Sequence, residues 1–150
     1  MFVQISDAIK IKEITVDQLG AAFPVVSQLR KHLNLGEFID IVKAMKPGGY
    51  RMVCLYENEE IVSYAGFAKL VNLYYGEHIW VYDLITDENK RGTGYGKLLL
   101  LAIEKYACDS GLSCIALSTR VQNEKAQKFY EITMDFDKIS YVYKKELTHV

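Results

Sequence analysis

Arg91-Gly92-Thr93-Gly94-Tyr95-Gly96-Lys97 stands between a strand-like run, Ile79–Thr86, and an apolar run with helical spacing, Leu98–Ala107. Glycines at 92, 94 and 96 let the backbone approach a ligand closely and adopt conformations closed to other residues. The helix that follows starts with unpaired N–H groups and the positive end of its dipole. A strand, a glycine turn and a helix N-terminus together make a seat for a phosphate or diphosphate.

Spacing excludes two familiar phosphate loops. A Walker loop needs Gly, four residues, then Gly-Lys-Ser/Thr; here Gly96-Lys97 is followed by Leu98, and the position five before Gly96 is Arg91. A dinucleotide fingerprint needs G-x-G-x-x-G, whereas this chain has G-x-G-x-G, one residue too tight. What fits is Arg-x-x-Gly-x-Gly, read at Arg91, Gly94 and Gly96.

That pattern resembles the coenzyme A diphosphate loop of the GCN5-related N-acetyltransferases (GNAT). Asp83-Leu84-Ile85-Thr86-Asp87-Glu88-Asn89-Lys90-Arg91-Gly92 is similar to the family's fourth strand running into its loop. Asn123-Glu124-Lys125-Ala126-Gln127-Lys128-Phe129-Tyr130 resembles its second signature, N-x-x-A-x-x-F-Y. The resemblance covers Ile61 to Phe136 and is topological before that. One departure is Met134, which stands where relatives carry glycine before Phe136; it should alter the turn and not the cofactor grip.

One hundred and fifty residues suit a single domain, here 1–150, with a sizeable core. Half the residues are hydrophobic and a quarter charged, ordinary for a globular protein. A net charge of −1 gives no basic footprint for nucleic acid. No apolar run approaches the roughly 20 residues of a membrane helix. The opening residues 1–7 lack the basic start and apolar core of a secretory signal, so the expected setting is cytoplasmic, without a membrane partner. Cys54, Cys108 and Cys114 have no metal-type pairing, and with only three histidines no metal site is expected.

Ile9–Ile14 reads as a first strand. Thr15-Val16-Asp17-Gln18 has capping-box spacing and should start a helix that Pro24 bends or interrupts. Asn34-Leu35-Gly36-Glu37 repeats the signal for a second helix, Leu35–Met45, ended by Pro47-Gly48-Gly49. Tyr50–Tyr56 and Ile61–Leu70 read as a hairpin, Asn72–His78 as a loop, and Ile79–Thr86 as the next strand. Tyr95–Ser110 is a helix stopped by Gly111. Ser113–Thr119 is a short strand, Asn123–Glu131 a helix and Ile139–Lys144 a final strand. This α/β order of α+β type matches the acyl-CoA N-acyltransferase fold of the GNAT family, a mostly antiparallel splayed central sheet flanked by helices.

The resemblance implies an acetyl-CoA-dependent N-acetyltransferase that moves an acetyl group to a primary amine of a small molecule or peptide, in a ternary complex. The cofactor-binding residues it implies are Arg91, Gly92, Thr93, Gly94, Tyr95, Gly96 and Lys97 for the diphosphate, with Lys90 at the rim. Main-chain groups of Leu84, Ile85 and Thr86, and the side chain of Asn123, would serve the pantetheine arm. Tyr130 matches the family tyrosine that protonates the leaving thiolate; a phenol of pKa ~10 keeps its proton at neutral pH.

The base for the amine is less legible. Strict alternation puts Trp80, Tyr82 and Leu84 on one face of the strand, and Val81, Asp83 and Ile85 on the other. Relatives often carry a carboxylate at the positions of Trp80 or Tyr82. Asp83 is the nearest carboxylate here, and it should face away unless a bulge re-aims it. His78 reads as a surface histidine and Glu88 as a solvated loop residue. Tyr64, Phe67, Tyr74, Tyr75, Trp80 and Tyr82 form an aromatic cluster, from which Trp80 and Tyr82 could meet the acceptor through cation–π contact or serve only as strand residues. A homodimer is an expectation from the amphipathic strands. The rival reading is a non-catalytic acyl-CoA sensor on the same fold.

Overall fold

The computed structural model describes residues 1–148. Met1–Leu117 forms one compact unit, and a second begins at Ser118. The first unit holds a six-stranded sheet of β1 (Phe2–Gln4), β2 (Ile9–Ile14), β3 (Arg51–Glu57), β4 (Glu60–Asn72), β5 (Gly76–Thr86) and β6 (Ile115–Leu117), in that spatial order. Every pairing is antiparallel except β5 with β6. The helices are α1 (Leu19–Leu29), α2 (Leu35–Met45) and α3 (Tyr95–Asp109) in this unit, and α4 (Glu124–Lys128) in the second.

Residues Ile61–Ala68 of β4 are all buried, because the sheet is covered on both faces. On one face α1 and α2 pack Leu19, Ala22, Val25, Val26, Phe38 and Val42 against Tyr50, Met52, Cys54 and Tyr64. On the other, α3 buries Leu99, Leu100, Ile103 and Ala107, and its Tyr106 ring lies 5.8 Å from that of Phe67. Fully burying one such side chain stabilises by about 1.5–3 kcal/mol.

Local signals set the boundaries. Asn34 and Glu37 form a reciprocal capping box, with the Glu37 N–H donating to Asn34 Oδ1 at 2.8 Å and the Asn34 N–H to Glu37 Oε1 at 3.1 Å. Thr15 and Gln18 open a short 3₁₀ turn that leads into α1. Pro24 does not interrupt α1. The carbonyl it leaves without an N–H partner belongs to Gly20, four residues back, and Gly20 is exposed to water.

Two further expectations change, and one strand is added. The loop at 72–78 shrinks to residues 73–75, because Asn72 Oδ1 accepts the N–H groups of Tyr74 and Tyr75 and closes the turn tightly. The three-residue β1, too short for a period-2 signal, is held by pairing with Lys10–Lys12. The final strand expected at Ile139–Lys144 does not form: this segment joins no sheet, and Ile139, Tyr141, Val142 and Tyr143 are exposed. Alternating apolar residues supply strand propensity, and no edge accepts their main-chain groups.

Candidate active site

β5 is the strand on which the site is built, and its two halves differ. Ile79, Trp80 and Val81 pair with β4 on one side and with β6 on the other. Beyond Val81 the β6 pairing stops, while β4 pairing continues to Thr86. Residues 82–86 therefore present one free main-chain edge. The Asp87 N–H donates to the Val62 carbonyl at 2.8 Å, and the alternation of an antiparallel ladder then turns the groups of Thr86 and Leu84 outward, with those of Ile85 toward β4. The Thr86 carbonyl accepts from Arg91 Nε at 3.1 Å. Of the three residues expected along this edge, Leu84 and Thr86 expose main-chain groups and Ile85 does not.

The free edge leads directly into the glycine loop. A 3₁₀ turn at Glu88–Lys90 is capped by Asp87, and the Thr93 hydroxyl donates to the Lys90 carbonyl at 2.5 Å. Gly92 and Gly94 sit at φ +81° and +84°, the left-handed region that disfavours any Cβ. Gly94 is the N-cap of α3 and contributes no side chain to it, so the helix starts uncapped. Among the described residues, the amides of residues 92–97 find no protein acceptor; the first helical bond is Leu98 N–H to Gly94 C=O at 3.0 Å. Lys90 is braced from β3: its ammonium lies 2.6 Å from Glu57, whose other carboxylate oxygen accepts from the Tyr95 hydroxyl. The hydrogen bonds from Lys90 and Tyr95 hold the Glu57 carboxyl below the usual carboxylate range.

The start of the free edge is fixed by side chains. Gly66 faces Asp83 and Phe67 faces Val81, so Tyr82 is an extra residue on β5. This bulge shifts the alternation. Asp83 and Ile85 now share the α1/α2 face with Trp80 and Tyr82, and Leu84 joins Val81 on the α3 face, which corrects the faces expected from strict alternation. Arg30, the C-cap of α1, donates to Asp83 Oδ1 from Nε at 3.1 Å and from Nη2 at 2.9 Å, and to the Tyr82 carbonyl at 3.0 Å. The Tyr50 hydroxyl donates to Asp83 Oδ2 at 2.6 Å. Its one proton being used, Tyr50 accepts from the Tyr64 hydroxyl at 2.9 Å. Burial, then the neighbouring Tyr64 and Asp83, push the Tyr50 phenol far above its usual range, and burial does the same to Tyr64. Both stay neutral, and Asp83 has both oxygens engaged. A Cβ at Gly66 would overlap the Tyr50 phenol and crowd Asp83, so the glycine is what lets Tyr50 reach across β4.

A family model described as the acetyltransferase (GNAT) family matches residues 12–136. The chain belongs to the GNAT acetyltransferase family. It is 32% identical over 139 residues to the uncharacterized N-acetyltransferase YhdJ of Bacillus subtilis (strain 168), covering 91% of this chain and 98% of that protein. The fold superposes on an aminoglycoside N-acetyltransferase, AAC(6')-Iy, solved in complex with CoA, with a TM-score of 0.82 at 12% identity, covering 97% and 99% of the two chains. A transcriptional regulator from Bacillus halodurans C-125 matches with a TM-score of 0.77 at 22% identity, covering 93% and 99%. As a GNAT acetyltransferase the protein uses acetyl-CoA and transfers its acetyl group to an amine.

In the second unit of this acetyltransferase, Asn123 caps α4, its Oδ1 accepting from the Ala126 N–H at 3.0 Å. The cap uses the side-chain oxygen and leaves the amide NH₂ to donate elsewhere. After α4 the chain winds through one wide turn, Phe129–Thr133, closed by Met134 N–H to Phe129 C=O at 3.0 Å. Tyr130 packs edge-on to Phe129 and Phe136, at ring separations of 5.3 and 5.8 Å, and burial pushes its phenol up to about 12. Met134 is buried, and the left-handed position of the turn passes to Asp135, at φ +60°, which is how the turn adjusts without glycine.

The expected aromatic cluster disperses. Phe67 faces α3, Tyr74 is exposed on the β4–β5 turn, and the Tyr75 ring lies 5.0 Å from His78. Tyr82 instead meets Tyr50, ring to ring at 5.7 Å. These two line a groove of about 210 Å³ with Ala44, Met45, Gly48, Ala68 and Leu70; Trp80 pairs with Ala68 on the same face but is not part of the lining. His78 is not a surface histidine: it is 1% exposed, with Nδ1 on the Gly76 carbonyl at 2.9 Å and Nε2 without a partner among the described residues. Sequence reasoning missed the grouping of Arg30, Tyr50, Tyr64 and Gly66. Its one local flag was a glycine inside an apolar strand, which often marks close approach of a neighbour.

Proposed function

We propose that this acetyltransferase catalyses direct attack of a primary amine, on a small molecule or a peptide, on acetyl-CoA held along β5 and the 91–97 loop. The observation that carries the reading is the continuity of a one-sided strand edge with a loop of acceptor-free amides. These residues fit coenzyme A. The amides of 92–97 and the charges of Arg91 and Lys97 suit a diphosphate, and nothing lies within 4 Å of where a Cβ would stand at Gly92 or Gly94. Leu84 and Thr86 would pair with the pantetheine arm, and Asn123 would donate its free NH₂ to it. The family model runs across residue 117 into the second unit, which supports reading 1–150 as one acetyltransferase domain.

When bound, acetyl-CoA supplies an acetyl group activated as a thioester. The Leu84 N–H on the free edge would face the carbonyl oxygen as a fixed dipole, a contribution of about 3 kcal/mol when removed in other systems. Direct attack is supported by the one fully buried cysteine: burial pushes the Cys54 thiol up, so it offers no thiolate to the edge. Asp83 was the carboxylate expected at the amine, but with both oxygens engaged we assign it to holding the bulge, and the amine proton leaves through water. Tyr130 returns a proton to the departing thiolate; its raised value keeps the phenol protonated through the working pH range. Dependence on acetyl-CoA supports a cytoplasmic setting, and the exposed apolar residues after Ile139 support a homodimer.

The test is Tyr130→Phe, followed by thiol release over a panel of amines and by calorimetric coenzyme A binding. The expected result is a kcat lower by about 100-fold with an unchanged Kd. Wild-type protein that binds coenzyme A yet releases no thiol with any amine would favour a sensor, and an unchanged kcat in the variant would remove Tyr130 from the chemistry.

A further inference from the structure

The groove beside the bulge names a class of acceptor. Its lining is Ala44, Met45, Gly48, Tyr50, Ala68, Leu70 and Tyr82, with no charged side chain. The carboxylate closest to it in the network, Asp83, is neutralised by Arg30 and capped by Tyr50. Polycationic acceptors need a carboxylate for each buried ammonium, and none is free here. A single ammonium is better served. Ala44 and Met45 belong to the last turn of α2 and Gly48 to the 3₁₀ turn that follows, so the groove lies at a helix C-terminus, whose partial negative charge is shared with Lys43 and Lys46 of the same turns and leaves room for one further cation at most. The rings of Tyr50 and Tyr82 meet at 63°, which offers an aromatic face to a cation.

Size points the same way. About 210 Å³ exceeds the ~150 Å³ cavity that holds one benzene and falls below the ~300 Å³ at which pockets for drug-sized ligands begin. One six-membered ring with a short arm fills the groove, and any further ring of a multi-ring sugar would lie outside it. We propose that this groove is the acceptor subsite for a monoamine with a compact apolar body, an arylalkylamine or a branched alkylamine, and that Leu70 and Tyr82 select against polyamines and aminoglycosides. The inference rests on the acetyl-transfer reading above.

Two measurements test it. In the first, the wild-type enzyme with saturating acetyl-CoA is assayed for thiol release with 2-phenylethylamine, spermidine and kanamycin, and compared with Leu70→Glu. Leu70 is half-buried on the groove wall, so the added carboxylate restores what the lining lacks. The expected kcat/KM favours 2-phenylethylamine at least 10-fold in wild type, and Leu70→Glu narrows or inverts that ratio while coenzyme A affinity holds. In the second, the ¹³C-methyl signal of Met45, one of four methionines, is followed during titration with 2-phenylethylamine without acetyl-CoA. It should shift saturably, and spermidine should leave it unmoved. A wild-type preference for spermidine or kanamycin, or a Met45 signal unmoved at saturating 2-phenylethylamine, overturns the acceptor class while leaving acetyl transfer intact. A Met45 shift with no thiol release from any amine has the opposite meaning: the groove binds as proposed, and the catalytic reading fails.

Discussion

The two ends of the free edge of β5 are built in opposite ways. At its far end, the 91–97 loop is shaped by main chain: amides without a protein acceptor among the described residues and two left-handed glycines. At its near end, the bulge at Tyr82 is held by side chains from other parts of the chain: Arg30 at the end of α1 and Tyr50 just before β3, the latter backed by Tyr64 of β4. A loop made of main chain tolerates side-chain change and fails when the backbone is forced out of its conformation. A network of buried polar groups has the reverse sensitivity, because each member satisfies another and a lost partner leaves a desolvated group behind.

The largest expected effect lies in the loop. Gly94→Val places a β-branched residue at φ +84° directly before α3, so the residue must leave the left-handed region and carry the amides with it. Coenzyme A affinity should fall by about 100-fold, near 2.7 kcal/mol, while urea unfolding moves by less than about 2 kcal/mol. Lys97→Ala, which removes charge and leaves the backbone alone, should cost about 10-fold or less. If Lys97→Ala proves the more damaging of the two, the loop is a charge site and the contrast with the bulge collapses.

At the other end the order reverses, with stability suffering before affinity. Gly66→Ala drives a methyl group into the Tyr50 phenol and should destabilise by about 1–3 kcal/mol, the usual range for overpacking. Gly66→Ala combined with Tyr50→Val removes the colliding ring, so the two changes should be non-additive by at least about 0.5 kcal/mol in urea unfolding. Full additivity would mean that Gly66 and Tyr50 are not coupled and that the bulge is set by the strand register alone.

This contrast also explains what could be read from the sequence. The loop was legible because its chemistry is written in consecutive residues: glycine spacing at 92, 94 and 96 after a strand and before a helix implies free amides whatever surrounds them. The capping box at Asn34 and Glu37 gave the start of α2 for the same reason. The network was not legible, since Arg30, Tyr50, Tyr64 and Asp83 lie far apart in the chain and meet only once the sheet register is fixed. A period-2 pattern cannot show where an extra residue enters, so Asp83, Leu84 and Ile85 were each assigned the wrong face relative to Trp80. The fold class followed from the order of strand and helix signals together with the resemblance of the 91–97 loop and the 123–130 segment to the GNAT family. The strand expected at Ile139–Lys144 was over-read because propensity reports what a segment would do beside an edge and not whether an edge is there.

High pH offers a sharper reading of the network. The Tyr50 and Tyr64 phenols are raised above their unfolded value of ~10, so the stability they contribute is whole below about pH 10. It drains as pH rises past that point, because the unfolded chain releases those protons first. Each phenol still protonated in the folded state adds a slope of about 1.4 kcal/mol per pH unit. Absorbance at 295 nm should therefore show a late tyrosine step that coincides with loss of circular dichroism. Tyr64→Phe should reduce that late step. A single titration near 10 with the fold intact would show that Tyr50 and Tyr64 are not buried donors.

The smallest effect is expected where the two styles meet, at Glu57. Its carboxylate braces Lys90 and Tyr95 from β3, a side-chain support beneath a main-chain loop. Glu57→Gln has two opposed consequences: the loop loses a brace, and Lys90 is freed as a positive charge beside the proposed diphosphate seat. If the amides position themselves, charge decides, and coenzyme A should bind two- to threefold tighter at low ionic strength, with the gain gone in ~0.5 M salt. The wild-type brace also carries a pH signature. The Glu57 carboxyl is lowered in the folded protein, so its support is present above the usual carboxylate value near 4.3 and is lost as pH falls through the depressed one. Glu57→Gln should lack that acid limb in coenzyme A binding. A 10-fold weaker affinity in the variant at neutral pH would show that the loop needs its side-chain brace and is not self-supporting main chain.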